Sequence, residues 1–249
     1  MFLLTAAALA AEPPLVTATL VADVDAIAAG QSLHLGVRYD IAPGWHIYWL
    51  NPGESGMETW VDPKLPDGWT AQAVQYPGPS RFTDAGGLVN YGYADSATLI
   101  VPVSAPETMS GESAQLTVET GWLVCREKCV QGSDVLSLTV PLAETAEPTE
   151  ALDAARSAVP RPSPPALQAA WQDGVLRIRM PGSSGLTLFP ALPLEAALDR
   201  SSVLDHPDAL TLVPGTGPWR AGLAAVLHVA HGPSAGHYQL TLSPPPGAP

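Results

Sequence analysis

In the stretch Gln115–Leu116–Thr117–Val118–Glu119–Thr120–Gly121–Trp122–Leu123–Val124–Cys125–Arg126–Glu127–Lys128–Cys129–Val130–Gln131–Gly132, a strand pattern runs into the only two cysteines of the chain. Leu116, Val118, Thr120, Trp122 and Val124 alternate with Gln115, Thr117, Glu119 and Gly121, the period-2 signature of a half-buried strand. Leu136, Leu138, Val140 and Leu142 alternate with Ser137 and Thr139 in the same way. Two antiparallel strands are expected, joined by a loop that carries Cys125 and Cys129.

A continuous strand would hold these two Cα atoms roughly 13 Å apart, at about 3.3 Å per residue, whereas a disulfide tolerates at most about 7 Å. A bridge therefore requires the chain to turn between them. So small a ring constrains the unfolded chain by only about 2 kcal/mol, against about 3 kcal/mol for a loop of about fifteen residues. As an exchanging pair the spacing is more useful, because the second thiol can resolve a mixed disulfide formed by the first. Arg126 and Lys128 favour a thiolate there and Glu127 opposes them. A structural disulfide in an exported β domain stays open as a reading. A two-cysteine metal clip falls short of the four protein ligands that a structural zinc site takes.

The chain has 249 residues, enough for two ordinary domains, each with its own core. With 27 prolines, 22 glycines and 14% charged residues, it should form short strands and turns rather than long helices. A net charge of −13, from 11 basic and 24 acidic residues, disfavours nucleic acid and anionic membrane surfaces as partners. Phosphate-loop, Gly-x-Ser-x-Gly and His-Glu-x-x-His motifs do not occur. A cysteine hydrolase would need His46 beside one cysteine and would leave the second sulfur unexplained.

Residues 1–10 form an apolar run that ends in the small-x-small pattern Ala8–Leu9–Ala10, so residues 1–11 are expected to be a signal peptide, cleaved after Ala10 or Ala11. The basic n-region is missing, so the true start is expected further upstream. No later stretch approaches the ~20 apolar residues of a spanning helix. Export would place both cysteines in an oxidising compartment.

Strands are expected at 15–23, 33–41, 45–49, 70–76 and 97–103, with His34 a bystander on the solvent face of the second. If Trp45, Ile47 and Trp49 face the core, His46 and Tyr48 point to the other side, where they can sit beside the cysteine loop. Residues 51–56 and 62–68 read as turn-rich connections, and 77–87 as a glycine and proline loop with one large apolar residue, Phe82. The span 144–165 reads as a linker holding a short helix over 149–158, capped by Thr149. A hairpin about Asp173 and Gly174 then opens a smaller β domain over 166–243, with strands at 186–189, 209–213, 221–229 and 237–242. His228, His231 and His237 have no acidic partner in it and read as incidental rather than metal-binding. Residues 244–249 form a proline-rich tail.

Four motifs occur in order: Gly44–Trp45–His46–Ile47–Tyr48–Trp49–Leu50–Asn51–Pro52–Gly53–Glu54–Ser55–Gly56; Leu65–Pro66–Asp67–Gly68–Trp69; Leu88–Val89–Asn90–Tyr91–Gly92–Tyr93; and Trp122–Leu123–Val124–Cys125, three residues, Cys129, then Gly132. At this spacing, residues 15–143 resemble the N-terminal periplasmic domain of DsbD-type thiol:disulfide interchange proteins, particularly the suppressor-of-copper-sensitivity (ScsB-like) branch. The resemblance implies an all-β chain, with a redox-active immunoglobulin-like sandwich over 12–143 followed by the second β domain. It implies that Cys125 and Cys129 cycle between dithiol and disulfide without a cofactor or metal, in the periplasm of a Gram-negative cell. The expected surround is His46, Tyr48, Phe82, Tyr91, Tyr93, Arg126 and Lys128, with Phe82 or a Tyr91–Gly92–Tyr93 turn as a cap. Cys129, beside the open Val130–Gln131–Gly132 side, is the expected attacking sulfur.

Implied partners are a periplasmic thioredoxin-fold oxidoreductase and a membrane electron-transfer domain, which this chain lacks. The chain is then either a fragment or a stand-alone exported form. The alternative is a non-enzymatic exported sandwich, either with a purely structural disulfide or handling copper through Cys125, Cys129 and Met57 or His46.

Overall fold

Alternation along the first half becomes ten strands: β1 (Val16–Ala22), β2 (Ser32–Ile41), β3 (His46–Gly53), β4 (Trp60–Lys64), β5 (Thr70–Ala71), β6 (Ser80–Thr83), β7 (Val89–Ala94), β8 (Ser96–Ser104), β9 (Ser113–Cys125) and β10 (Cys129–Pro141). A single-turn 3-10 helix (Glu150–Leu152) runs into α1 (Asp153–Ala158). Seven more strands follow among the described residues: β11 (Gln168–Gln172), β12 (Val175–Arg179), β13 (Ser184–Pro190), β14 (Leu198–His206), β15 (Ala209–Pro214), β16 (Leu223–His231) and β17 (Gly236–Leu242). This computed structural model describes residues 13–84, 86–172, 175–191, 198–206, 209–214 and 223–242; the expected leader, the 173–174 turn and the tail lie outside them.

The fold is all-β and begins with an immunoglobulin-like sandwich. One sheet has the order β1-β2-β8-β5; the other runs β10-β9-β3-β7-β6, with β4 paired to β9. Leu33, Leu35, Val37 and Tyr39 of β2 and Leu99, Val101 and Val103 of β8 fill the core from one side. Ile47, Trp49, Tyr91, Tyr93, Leu116, Val118, Trp122 and Val124 fill it from the other. Tyr39 carries its hydroxyl into this core, where it meets the Thr120 hydroxyl at 2.5 Å. Burial pushes its pKa well above the usual phenol range, so it stays a neutral hydrogen-bonding group.

The second half pairs a β11-β12-β15-β14 sheet with a β13-β16-β17 sheet. Within the three-stranded sheet, alternate residues serve two cores. Ala225, Leu227 and Val229 pack inside the second half. Phe189 and Val226 join the core of the first sandwich instead. The end of β13 and the middle of β16 are thus covered on both faces, which fits the near-continuous apolar run of β16, while Gln239 and Thr241 of β17 stay exposed.

Several sequence expectations give way here. Residues 62–68 are not all turn: β4 lies there, pairing Pro63 with Val118, at an edge position that tolerates proline. Of 70–76 only Thr70–Ala71 is strand, with one bridge from Gln75 to Ile100. The loop 77–87 contains β6, and Tyr91–Gly92–Tyr93 is no turn but the middle of β7. Gly92 is needed there because a β-carbon would fall 2.0 Å from the Ile47 carbonyl oxygen. Strand β14 was not anticipated.

The span 144–165 is strapped down rather than free. Thr149 donates its N–H to Asp23 O at 2.7 Å, and its hydroxyl goes to Ala22 O at 3.0 Å rather than capping the helix. Leu152 is fully buried against Gly36 of β2, whose added β-carbon would meet it at 2.3 Å. Arg156 pairs with buried Asp23, which also holds His34 Nδ1 at 2.9 Å. His34 is therefore part of the latch for α1 and not a bystander.

Candidate functional site

Strands β9 and β10 form a continuous antiparallel hairpin whose last register pair is Cys125 with Cys129. Arg126, Glu127 and Lys128 make the turn, closed by Arg126 N–H donating to Lys128 O at 3.1 Å. The turn brings the two Cα atoms to 4.1 Å, and the sulfurs are joined in a disulfide. The pair is asymmetric. Cys125 is 2% exposed, while Cys129 opens the edge strand β10 and is exposed.

Register places the next residue. His46 of β3 is the direct partner of Cys125 on the other side of β9, so Cys129, Cys125 and His46 form one cross-strand row with side chains on one face. That face is the outer one, because Ile47, Trp49 and Val124 alternate into the core. The His46 ring stacks on Phe82 with centroids 4.8 Å apart and planes 12° apart. Tyr48 meets the same imidazole edge-on at 5.1 Å. Gly56 supports Tyr48 from beneath: at φ +104° it leaves the space in which a β-carbon would sit 2.3 Å from the ring.

Burial pushes the His46 pKa below the usual imidazole value, against a weaker pull upward from Asp84. Its Nε2 is buried with no hydrogen-bond partner among the described residues. Burial, reinforced by Asp84, raises the Tyr48 phenol. Asp84 itself closes the β6–β7 connection, accepting from Gly86 N–H and Leu88 N–H at 3.0 Å each. The strand that carries Phe82 is fixed by that carboxylate.

Of the residues expected around the cysteines, His46, Tyr48 and Phe82 come together on the disulfide's face. Arg126 lays its guanidinium over the Trp45 ring, 5.1 Å from the centroid. Lys128 is exposed at the turn. Tyr91 and Tyr93 do not join the group: both face the core, Tyr93 donating to Pro77 O at 2.9 Å and Tyr91 meeting Phe189 at 5.2 Å. Period 2 alone puts them there, since Gly92 between them pairs with Tyr48. Asp84 and Gly56 were missed; the run of Asp84 before Gly86 and Gly87 was the signal for the first. In the second half, His228 and His237 stack at 4.4 Å, and His237 Nε2 lies 3.2 Å from Pro79 O. They form contacts between the two halves. No cluster of three metal-ligating side chains occurs among the described residues.

A family model described as thiol:disulfide interchange protein DsbD, N-terminal, matches residues 12–141, which include the disulfide, His46, Tyr48 and Phe82. The chain belongs to this DsbD N-terminal family. Its fold is similar to the crystal structure of the N-terminal periplasmic domain of ScsB from Proteus mirabilis, with TM-score 0.64 and 18% identity over 90% of this chain and 92% of that one. The likeness thus extends through both halves. The DsbD N-terminal domain from Neisseria meningitidis, in its reduced form, aligns over 53% of this chain and 90% of that one, with TM-score 0.32 and 16% identity. No curated protein matches the chain in sequence. No helix among the described residues is long and apolar enough to cross a membrane.

Proposed function

We propose that this DsbD-family chain is a periplasmic thiol–disulfide exchange module, passing reducing equivalents through a reversible Cys125–Cys129 disulfide to partner oxidoreductases. The observation that carries this reading is the asymmetry of the pair: one cysteine exposed at a sheet edge, the other buried beside it. A structural staple gains nothing from an exposed cysteine. An exchanging pair needs one cysteine that a partner can reach and a second thiol beside it to resolve the mixed disulfide.

In the reducing direction the Cys129 thiolate attacks a sulfur of the partner's disulfide, forming a mixed disulfide and releasing one partner thiolate. Cys125 then attacks Cys129 Sγ, the mixed disulfide breaks, and the partner's second sulfur leaves as thiolate. Two electrons have moved to the partner and the Cys125–Cys129 bond is restored. A thioredoxin-fold oxidoreductase of the periplasm fits as the acceptor, and a membrane electron-transfer domain, in the same full-length chain or separate, fits as the donor. His46 and Phe82, stacked on the disulfide's face, serve as its cap, with Tyr48 behind them.

The reduction potential tests the proposal. A value between about −120 and −270 mV, the range of thioredoxin-fold exchange proteins, is expected; one below about −300 mV would mark an inert structural bond. Trapping with single Cys→Ser variants assigns the sulfurs. Cys125→Ser should accumulate a stable mixed disulfide through Cys129, and an adduct formed through Cys125 alone would reverse the roles.

A further inference from the structure

Opening the disulfide raises a question of charge. Attack by Cys125 on the mixed disulfide needs its thiolate, yet Cys125 is 2% exposed and cannot hand its proton to bulk water. A buried thiol in apolar surroundings holds its proton more tightly than a free one. Something on the same face has to take it.

Few titratable groups lie on the elements around Cys125. Tyr48, from β3, is kept protonated by burial and can accept no proton onto a phenolate it does not have. Asp84, at the end of β6, spends its carboxylate on the Gly86 and Leu88 N–H groups and lies within 3.4 Å of Asn90 Nδ2. Arg126 and Lys128 of the turn are cations, and Glu127 between them is exposed on the solvent side. Ala94, the neighbour of His46 on β7, carries no titratable group. His46 remains. It is the register partner of Cys125, which sets the two β-carbons about 5 Å apart. Its ring is held by Phe82 on one face and Tyr48 at the edge, and its buried Nε2 has no partner among the described residues.

We propose that His46 is the base that deprotonates Cys125 for the resolving step, an inference that rests on the exchange reading above. The Cys125 S–H proton passes to the neutral imidazole. The Cys125 thiolate then forms a bond to Cys129 Sγ while the bond from Cys129 to the partner breaks, and the electron pair leaves on the partner's sulfur. Imidazolium His46 returns its proton to that departing thiolate or to water. The depressed basicity of the buried ring keeps it in the neutral, proton-accepting form at neutral pH. Cys129, being exposed, needs no such help for the first attack.

The two steps can be timed separately with 5,5′-dithiobis(2-nitrobenzoate) as the disulfide and the full chain, reduced and freed of reductant. Attack by Cys129 releases one thionitrobenzoate, and resolution by Cys125 releases the second. In His46→Phe, which keeps an aromatic ring against Phe82, and in His46→Gln, the second release should slow by about tenfold or more, with the first within about twofold. The wild-type second phase should already be level at the ordinary imidazole value of about 6.5, because the His46 pKa is lowered from it, whereas in His46→Phe it should keep rising through the thiol range, about 8.5 and beyond.

Unchanged second phases in both variants would overturn the inference. So would an His46→Phe protein as fast as wild type beside a slow His46→Gln, because packing would then be the whole effect, and so would equal slowing of both phases. A wild-type protein that never releases the second equivalent would instead overturn the exchange reading, and the inference with it.

Discussion

Tyr48 and its glycine support show how tightly the outer face is built at the level of single residues. Gly56 combines a positive φ with a tyrosine ring 2.3 Å from where its β-carbon would be, so both the backbone and the ring must yield in Gly56→Ala. A loss of about 2–4 kcal/mol is expected from strain plus overpacking, read as a lowered denaturation midpoint. Three histidines predict a pH dependence of the same protein. His46, His228 and His237 all have pKa values lowered in the fold, chiefly by burial. A lowered value means that the unfolded chain binds the proton first. Their stability contribution is therefore complete above the unfolded value of about 6.5 and drains away as pH falls through and below it. Urea midpoints should drop between pH 7.5 and 5, and less so in His228→Phe; a flat profile would contradict the burial of these rings. At this scale the cysteines, His46 and Tyr48 were legible from period and spacing, since alternation alone assigns a face. Phe82 was visible only as a lone aromatic, because its partner His46 lies on another strand.

The elements that carry the site differ in how plainly the sequence announces them. Strands β2, β8 and β9 are half-buried and alternate cleanly, so their periodicity is the fold's own. Strands β4, β6 and β7 carry Pro63, Gly92 or flanking proline and glycine, and these residues imitate turns. What makes them strands is pairing with β9 and β3, which no local pattern records. The β6–β7 hairpin is the element most exposed to failure, because four residues of β6 hold the Phe82 end of the His46 stack. Asp84 closes that hairpin through two N–H groups. Asp84→Ala should cost about 1–2 kcal/mol and, more tellingly, should speed amide exchange across Ser80–Thr83 while leaving β2 and β8 protected. Equal protection in both proteins would mean that the hairpin is held by its stacking alone.

Across the whole molecule, the second half is placed as a buttress to the sheet that bears the disulfide, from its core side. Phe189 enters the first core beside Trp49 and Tyr91, with centroids at 6.4 and 5.2 Å. Asn51, just past the aromatic run of β3, donates to Pro190 O at 2.7 Å. His237 abuts Gly78, where an added β-carbon would fall 2.2 Å from the ring, and Gly78 N–H donates to Ala158 O at 2.9 Å. These contacts grip β3, which carries His46 and Tyr48, and the segment leading into β6, which carries Phe82. Nothing in the sequence pairs Phe189 with Trp49, because the two belong to separate strand patterns and meet only in the folded chain. Phe189→Ala removes a buried ring from this junction and should cost about 3–5 kcal/mol if the cavity does not close. Were the second half merely a neighbour, the loss would stop at stability. As a buttress it should also loosen the His46–Phe82 stack, so that dithiothreitol reduces the Cys125–Cys129 bond several-fold faster in Phe189→Ala than in wild type at equal folded fraction. Equal reduction rates would leave the second half with a structural role alone.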